Sequence, residues 1–110
     1  MKTLIIFSAI LLSGITLISS CKKDKKDTTP PVITIKGTNP ILDHCLHATY
    51  IDPGATAYDE TDGDITSKII ITTNVDTAAI GTYQVKYDVS DKAGNAATEA
   101  IRTVTVINCK

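Results

Sequence analysis

The sequence contains no Trp and a single Phe, Phe7, which falls within its first twenty residues. Beyond them the aromatics are four tyrosines, Tyr50, Tyr58, Tyr83 and Tyr87. This excludes an indole platform for stacking a sugar ring. After residue 27, Leu occurs only as Leu42 and Leu46. No stretch there sustains apolar residues at i, i+3, i+4 and i+7, so an amphipathic helix is not expected. Basic charge is not in excess either. Eleven Lys and Arg against twelve Asp and Glu leave a net charge of −1, which excludes a strongly basic nucleic-acid binder. His44 and His47 are the only imidazoles and no G-x-S-x-G occurs, so the usual parts of a nucleophilic hydrolase are missing. A chain of 110 residues has room for one domain and little for a deep pocket. Its longest apolar run, residues 4–18, is broken by Ser8, Ser13 and Gly14. A membrane-spanning helix needs about 20 apolar residues.

What the N-terminus does hold is an address. Lys2, the apolar run and the small residues before Cys21 have the layout of a signal peptide over residues 1–20. Ile18-Ser19-Ser20-Cys21 resembles the bacterial lipobox. That resemblance implies a diacylglyceryl thioether on Cys21 and cleavage before it. Two or three acyl chains hold far more firmly than one, at about 0.8 kcal/mol per buried methylene. Residues 21–29 then form the acylated Cys and a charged tether, with Lys22-Lys23-Asp24-Lys25-Lys26-Asp27 carrying +2 and unable to bury apolar surface. Such a start looks like lipoproteins of the Bacteroidetes type, in which clustered acids after the Cys act as a surface-export signal. Here lysines separate the acids. The expected location is the bacterial outer membrane, lipid-anchored, facing the periplasm or the surface.

Residues 28–110 hold 15 Thr, 11 Ile and 6 Val. β-branched side chains are stiff at χ1 and suit a pleated surface. Val32-Ile33-Thr34-Ile35 reads as a first strand after Pro30-Pro31, a pair that forbids helix. Tyr83, Val85, Tyr87 and Val89 alternate with polar residues, and Ala100, Arg102, Val104 and Val106 alternate with Ile101, Thr103 and Thr105. Each run predicts a strand with one buried face. Asp91-Lys92-Ala93-Gly94-Asn95 joins them as a tight turn, predicting a hairpin. Ile69-Ile70-Ile71-Thr72-Thr73 is a further strand, and Asn39-Pro40, Asp52-Pro53-Gly54 and Asp62-Gly63-Asp64 mark turns. About seven short strands predict an all-β, immunoglobulin-like β-sandwich over residues 30–110. Gly81-Thr82-Tyr83-Gln84-Val85, with Asp76 upstream, has the layout of a tyrosine corner at Tyr83.

Thr29-Pro30-Pro31-Val32-Ile33-Thr34-Ile35, Tyr50-Ile51-Asp52-Pro53-Gly54-Ala55-Thr56-Ala57, Asp62-Gly63-Asp64-Ile65-Thr66, Gly81-Thr82-Tyr83 and Asp91-Lys92-Ala93-Gly94-Asn95-Ala96 follow in order. Together they resemble the bacterial Ig-like domain of the pesticidal-crystal-protein type, related to hyalin repeats. The resemblance covers nearly all of residues 29–107. It implies a small sandwich found in secreted or surface proteins beside adhesive or carbohydrate-active modules, with no catalytic residues. The chain departs from that pattern at Asp43-His44-Cys45-Leu46-His47 and at Asn108-Cys109-Lys110.

In Ig-like sandwiches the early strand after the first kink runs parallel to the last one. Cys45 and Cys109 fall near neighbouring strand ends, so a disulfide is expected in an oxidising compartment. The alternative is a zinc set of His44, Cys45, His47 and Cys109. Residues at i and i+3 point to opposite faces of a regular strand, and only a bulge would reconcile them. Asp59-Glu60-Thr61-Asp62-Gly63-Asp64 offers Asp59, Asp62 and Asp64 as calcium ligands on a flexible turn. The other reading is an Asx turn whose carboxylates accept backbone amides. The expected function is non-catalytic: a membrane-anchored module presenting loops to a protein or glycan, or a plain surface spacer. No nucleic acid and no organic cofactor are expected.

Overall fold

The computed structural model describes residues 25–110. The signal segment, Cys21 and the tether as far as Asp24 lie outside the described residues. Seven strands follow in order: β1 (Val32–Ile35), β2 (Ile41–Cys45), β3 (Ala55–Asp59), β4 (Gly63–Asp64), β5 (Ile70–Thr73), β6 (Gly81–Asp88) and β7 (Ala100–Ile107). A 3₁₀ turn, Thr66–Lys68, precedes β5. The strands form two sheets, β1-β3-β4 and β2-β7-β6-β5. The fold is an all-β, immunoglobulin-like sandwich.

Alternation sets which face is buried. On β6 and β7, Val85 and Tyr87 face Arg102, Val104 and Val106 across the inner side, and all five are buried. β3 buries Ala55, Ala57 and Asp59 and turns Thr56 and Tyr58 outward. Two core clusters result. One holds Ala55, Val85, Tyr87 and Val104, the other Ala57, Ile65 and Val89, and Ile33 and Ile69 pack against both. Tyr58 is 60% exposed. The pleat leaves no choice: with Asp59 and Ala57 inward, the residue between them must point out.

β2 pairs with β7 in parallel, as expected for the early and last strands. Ile41 opposes Val104 and His44 opposes Val106, so β2 carries one extra residue in a bulge. Asn39 prepares this pairing: its side chain donates to Ile101 O and accepts from Thr103 N. Two expected turns differ in detail. Gly63–Asp64 pairs with Tyr58 and Asp59 as the short strand β4, where Gly63 adopts φ +82°. The β6–β7 connection is longer than a tight hairpin and is pinned by a bridge between Ser90 and Ala96.

Candidate functional site

The sandwich buries two polar clusters, and both begin from inward-facing positions on strands. Arg102 lies in the inward phase of β7 and is fully buried. A buried guanidinium requires partners for its donors. Its Nε donates to Asp52 Oδ1 at 3.0 Å and also approaches Tyr87 Oη at 3.2 Å. Its Nη1 donates to Thr38 O, and its Nη2 to Lys36 O and Gly54 O. Asp52 completes the hub. Its Oδ1 also accepts from the Tyr50 hydroxyl, and its Oδ2 accepts from the Tyr87 hydroxyl and from Gly54 N. Burial works to raise the Asp52 pKa, but the Tyr87 and Tyr50 hydroxyls and the Arg102 charge outweigh it and hold the carboxyl below its ordinary range. The same burial, with the adjacent carboxylate, pushes both tyrosine hydroxyls up. One charge of each sign, closed by hydrogen bonds, makes this a staple tying β6 and β7 to the β1–β2 and β2–β3 connections.

The second cluster has three acids. Asp59 closes β3 and is 1% exposed. Its Oδ2 accepts from Thr61 N and Asp62 N. Asp91 follows β6 and accepts from both Asn95 N and Asn95 Nδ2. Asp27 reaches the same place from the segment before β1, with Oδ1 accepting from Thr29 N. Asn95 Nδ2 also donates to Asp27 O at 3.0 Å. One carboxylate oxygen from each of Asp27, Asp59 and Asp91 lies within 4.8 Å of the other two. The Thr29 amide draws the Asp27 carboxyl down, but burial and the Asp91 and Asp59 carboxylates leave it raised. Asp27 thus docks on the domain, although the sequence reads as tether there.

The acids proposed from sequence do not act as a set. Asp59 joins the cluster just described. Asp62 accepts from Lys92 N at 2.7 Å, and Asp64 accepts from Thr66 N at 2.9 Å. The latter bond, with the Thr66 side chain, lowers the Asp64 pKa. The Asx-turn chemistry read from the sequence therefore occupies Asp64 and half of Asp59.

Cys45 and Cys109 form a disulfide, with Cα atoms 5.3 Å apart. Oxidation removes both thiolates from a zinc set, and His44 is engaged elsewhere, with Nε2 3.1 Å from Ala48 O and its ring edge-on to Tyr50. The zinc alternative is thereby corrected: the bulge it needed is present in β2, but the sulfurs bond to each other. His47 adopts φ 69° in the following turn, a conformation that glycine tolerates best. The Tyr83 hydroxyl donates to Ala79 O at 2.7 Å, the hydrogen bond that defines a tyrosine corner.

A cleft of about 600 Å³ opens beside β5, lined by Tyr50, Asp52, Ile71, Thr73, Val75 and Asp76 among others. Ile71 pairs with Tyr87 and Thr73 with Val85, so both lie on the inner face. Yet every residue of β5 is exposed, Ile71 at 51%. The three-stranded sheet does not cover the fourth strand of its partner.

Sequence reading treated Arg102 as one member of an alternating strand, and Asp52 and Asp91 as turn residues. The missed signal was phase. A charged residue in step with Val104 and Val106 must be buried and must find an opposite charge. Asp59, in step with Ala55 and Ala57, carried the same message.

These features define an immunoglobulin-like β-sandwich stapled by a disulfide and an internal ion pair. The model of the bacterial surface protein Ig-like domain family matches residues 33–106, and the chain belongs to that family. No curated protein matches it. Among solved structures, a lipoprotein from Bacteroides thetaiotaomicron is similar at 25% identity and a TM-score of 0.61, over 73% of this chain and 39% of that one. A structure of carbohydrate-binding module and INT domains from Clostridium perfringens ZmpB, complexed with GlcNAc, is similar at 30% identity and a TM-score of 0.54. That match spans 72% of this chain and 17% of the other. A structure of the M60 catalytic domain with two such modules from the same protein gives 30% identity and a TM-score of 0.53, over 72% and 8%. The chain thus spans less than half the length of each.

Proposed function

We propose that this protein is a lipid-anchored cell-envelope module that presents one Ig-like domain for non-catalytic interaction with a protein or glycan. The observation that carries the reading is the uncovered inner face of β5. It leaves Ile71, Thr73 and Tyr50 lining an open cleft in a domain whose other inward-facing side chains are packed. Small-molecule and glycan sites combine such an apolar floor with a few polar groups, here Thr73 and Asp76. Family membership and the lipoprotein neighbour support a cell-envelope setting. The small share of each neighbour's chain that is matched supports an accessory role. The motifs quoted from the sequence favour the crystal-protein, hyalin-related branch of the family. Ile18-Ser19-Ser20-Cys21 supports acylation of Cys21 and attachment to the outer membrane.

Two measurements test this. Cys21→Ser should move the protein from the detergent phase to the aqueous phase in a phase-separation experiment, and unchanged partitioning refutes the anchor. A photo-cross-linker at Ile71, on intact cells, should capture a reproducible partner that a cross-linker at exposed Leu42 does not. Equal capture from both positions refutes the cleft as the binding face.

A further inference from the structure

The acid cluster differs from an ordinary solvated patch in one respect: it is partly buried and unfinished. Asp59 Oδ1 and Asp27 Oδ2 are both shielded from solvent and have no hydrogen-bond partner. Asp59 itself is 1% exposed and Asp91 6%. An orphaned buried carboxylate oxygen is costly, because it loses its water without replacement. Three carboxylates within 4.8 Å also repel one another. Among the described residues no Lys, Arg or His forms an ion pair with any of them. The side-chain donor present is Asn95, which offers one amide group to Asp91 and to Asp27 O.

We propose that Asp27, Asp59 and Asp91 bind a calcium ion that clamps the segment before β1 onto the end of β3 and the β6–β7 loop. Calcium takes six to eight oxygens at about 2.3–2.6 Å. Ligands on opposite sides of one ion are then about 5 Å apart, which the 4.8 Å envelope of these oxygens matches. Water completes the shell. Oxygen-only donors favour a hard cation over zinc. Two of the three acids stand on well-anchored positions, one at a strand end and one tied twice to Asn95. The third arrives on a terminal segment, so the ion couples that segment to the domain. The site does not depend on whether Cys21 is acylated.

The test uses the full-length chain purified in detergent, with calcium, magnesium or a chelator added. Calcium at 10 mM should raise the melting temperature by about 5 °C or more, with a Kd of about 0.1–1 mM, the range of extracellular modules. It should also slow tryptic cleavage after Lys26 at least about tenfold, since local opening of Asp27 must precede the cut. Asp27→Asn, which alters only the terminal segment and leaves the sandwich folded, should abolish both effects. Asp91→Asn should weaken them. A wild-type protein with no calcium-dependent change in either readout overturns the proposal. So does a calcium response that survives Asp27→Asn, which would put the ion elsewhere, or an equal response to magnesium.

Discussion

The two buried polar clusters are opposites. The Arg102 hub pairs one cation with one anion, and each Asp52 oxygen accepts two donors. The acid cluster brings three carboxylates together with no base paired to them among the described residues, and leaves two oxygens unpartnered. A buried ionic group that is neutral and closed within the chain contributes to holding the fold. One that is charged and open depends on something outside the chain. Proximity of polar residues therefore does not separate structure from function in this domain; completeness of the partners does.

Breaking the closed cluster should have the largest effect. Arg102→Leu leaves the Asp52 carboxylate without its counter-charge and strips a donor from the carbonyls of Lys36, Thr38 and Gly54, and should cost about 3–5 kcal/mol in urea unfolding. A loss below about 1 kcal/mol would mean that the hub is not internally closed. Replacing Cys45 and Cys109 together by Ser opens a loop with a separation of 64 residues, and should cost about 4 kcal/mol. This acts through the unfolded chain, so the loss should be the same with and without calcium, unlike that of Asp27→Asn. Asn95→Ala removes the amide donor that joins Asp91 to the segment at Asp27, and should cost about 1–3 kcal/mol. Tyr50→Phe removes one of four donors to Asp52 and should cost about 1 kcal/mol, measured in the same way.

Acid separates the clusters by sign. Asp52 is held below its ordinary value of 3.8 in the folded state. Its contribution is complete above that value and is lost as pH falls through the folded pKa. Asp27 is raised above its ordinary 3.8, so the folded state is penalised while it is charged, and acidification relieves the penalty. Without calcium, Asp27→Asn should therefore melt higher than wild type at pH 7. The two should converge as the pH falls to about 4, and both should lose stability below it. Parallel melting curves across that range would show that Asp27 feels no repulsion.

Much of the architecture was legible because it rests on local rules. The alternation through Tyr83, Val85 and Tyr87 predicted β6, and the β-branched run at residues 69–73 predicted β5. Asp91 to Asn95 marked a turn, and the disulfide followed from expected strand neighbours. Side-chain roles were less legible. Asp59, Asp62 and Asp64 are close in sequence, yet strand pairing at Gly63–Asp64 sends their carboxylates to different jobs. Asp27 and Asp91 are far apart in sequence and meet Asp59 only after the β6–β7 loop folds toward the start of β1. Tyr58 points outward although tyrosine is large, because Ala57 and Asp59 take the inward phase of β3.

By itself the sequence determined the class of fold and the periodicity of its strands, since χ1 stiffness, turn chemistry and two-residue alternation act between near neighbours. Tertiary structure alone decided that Arg102 would meet Asp52 and that three separated acids would share one space. Those contacts depend on which strand ends and loops two packed sheets bring together. Such placement sums over the whole chain, and no short stretch of it encodes the result.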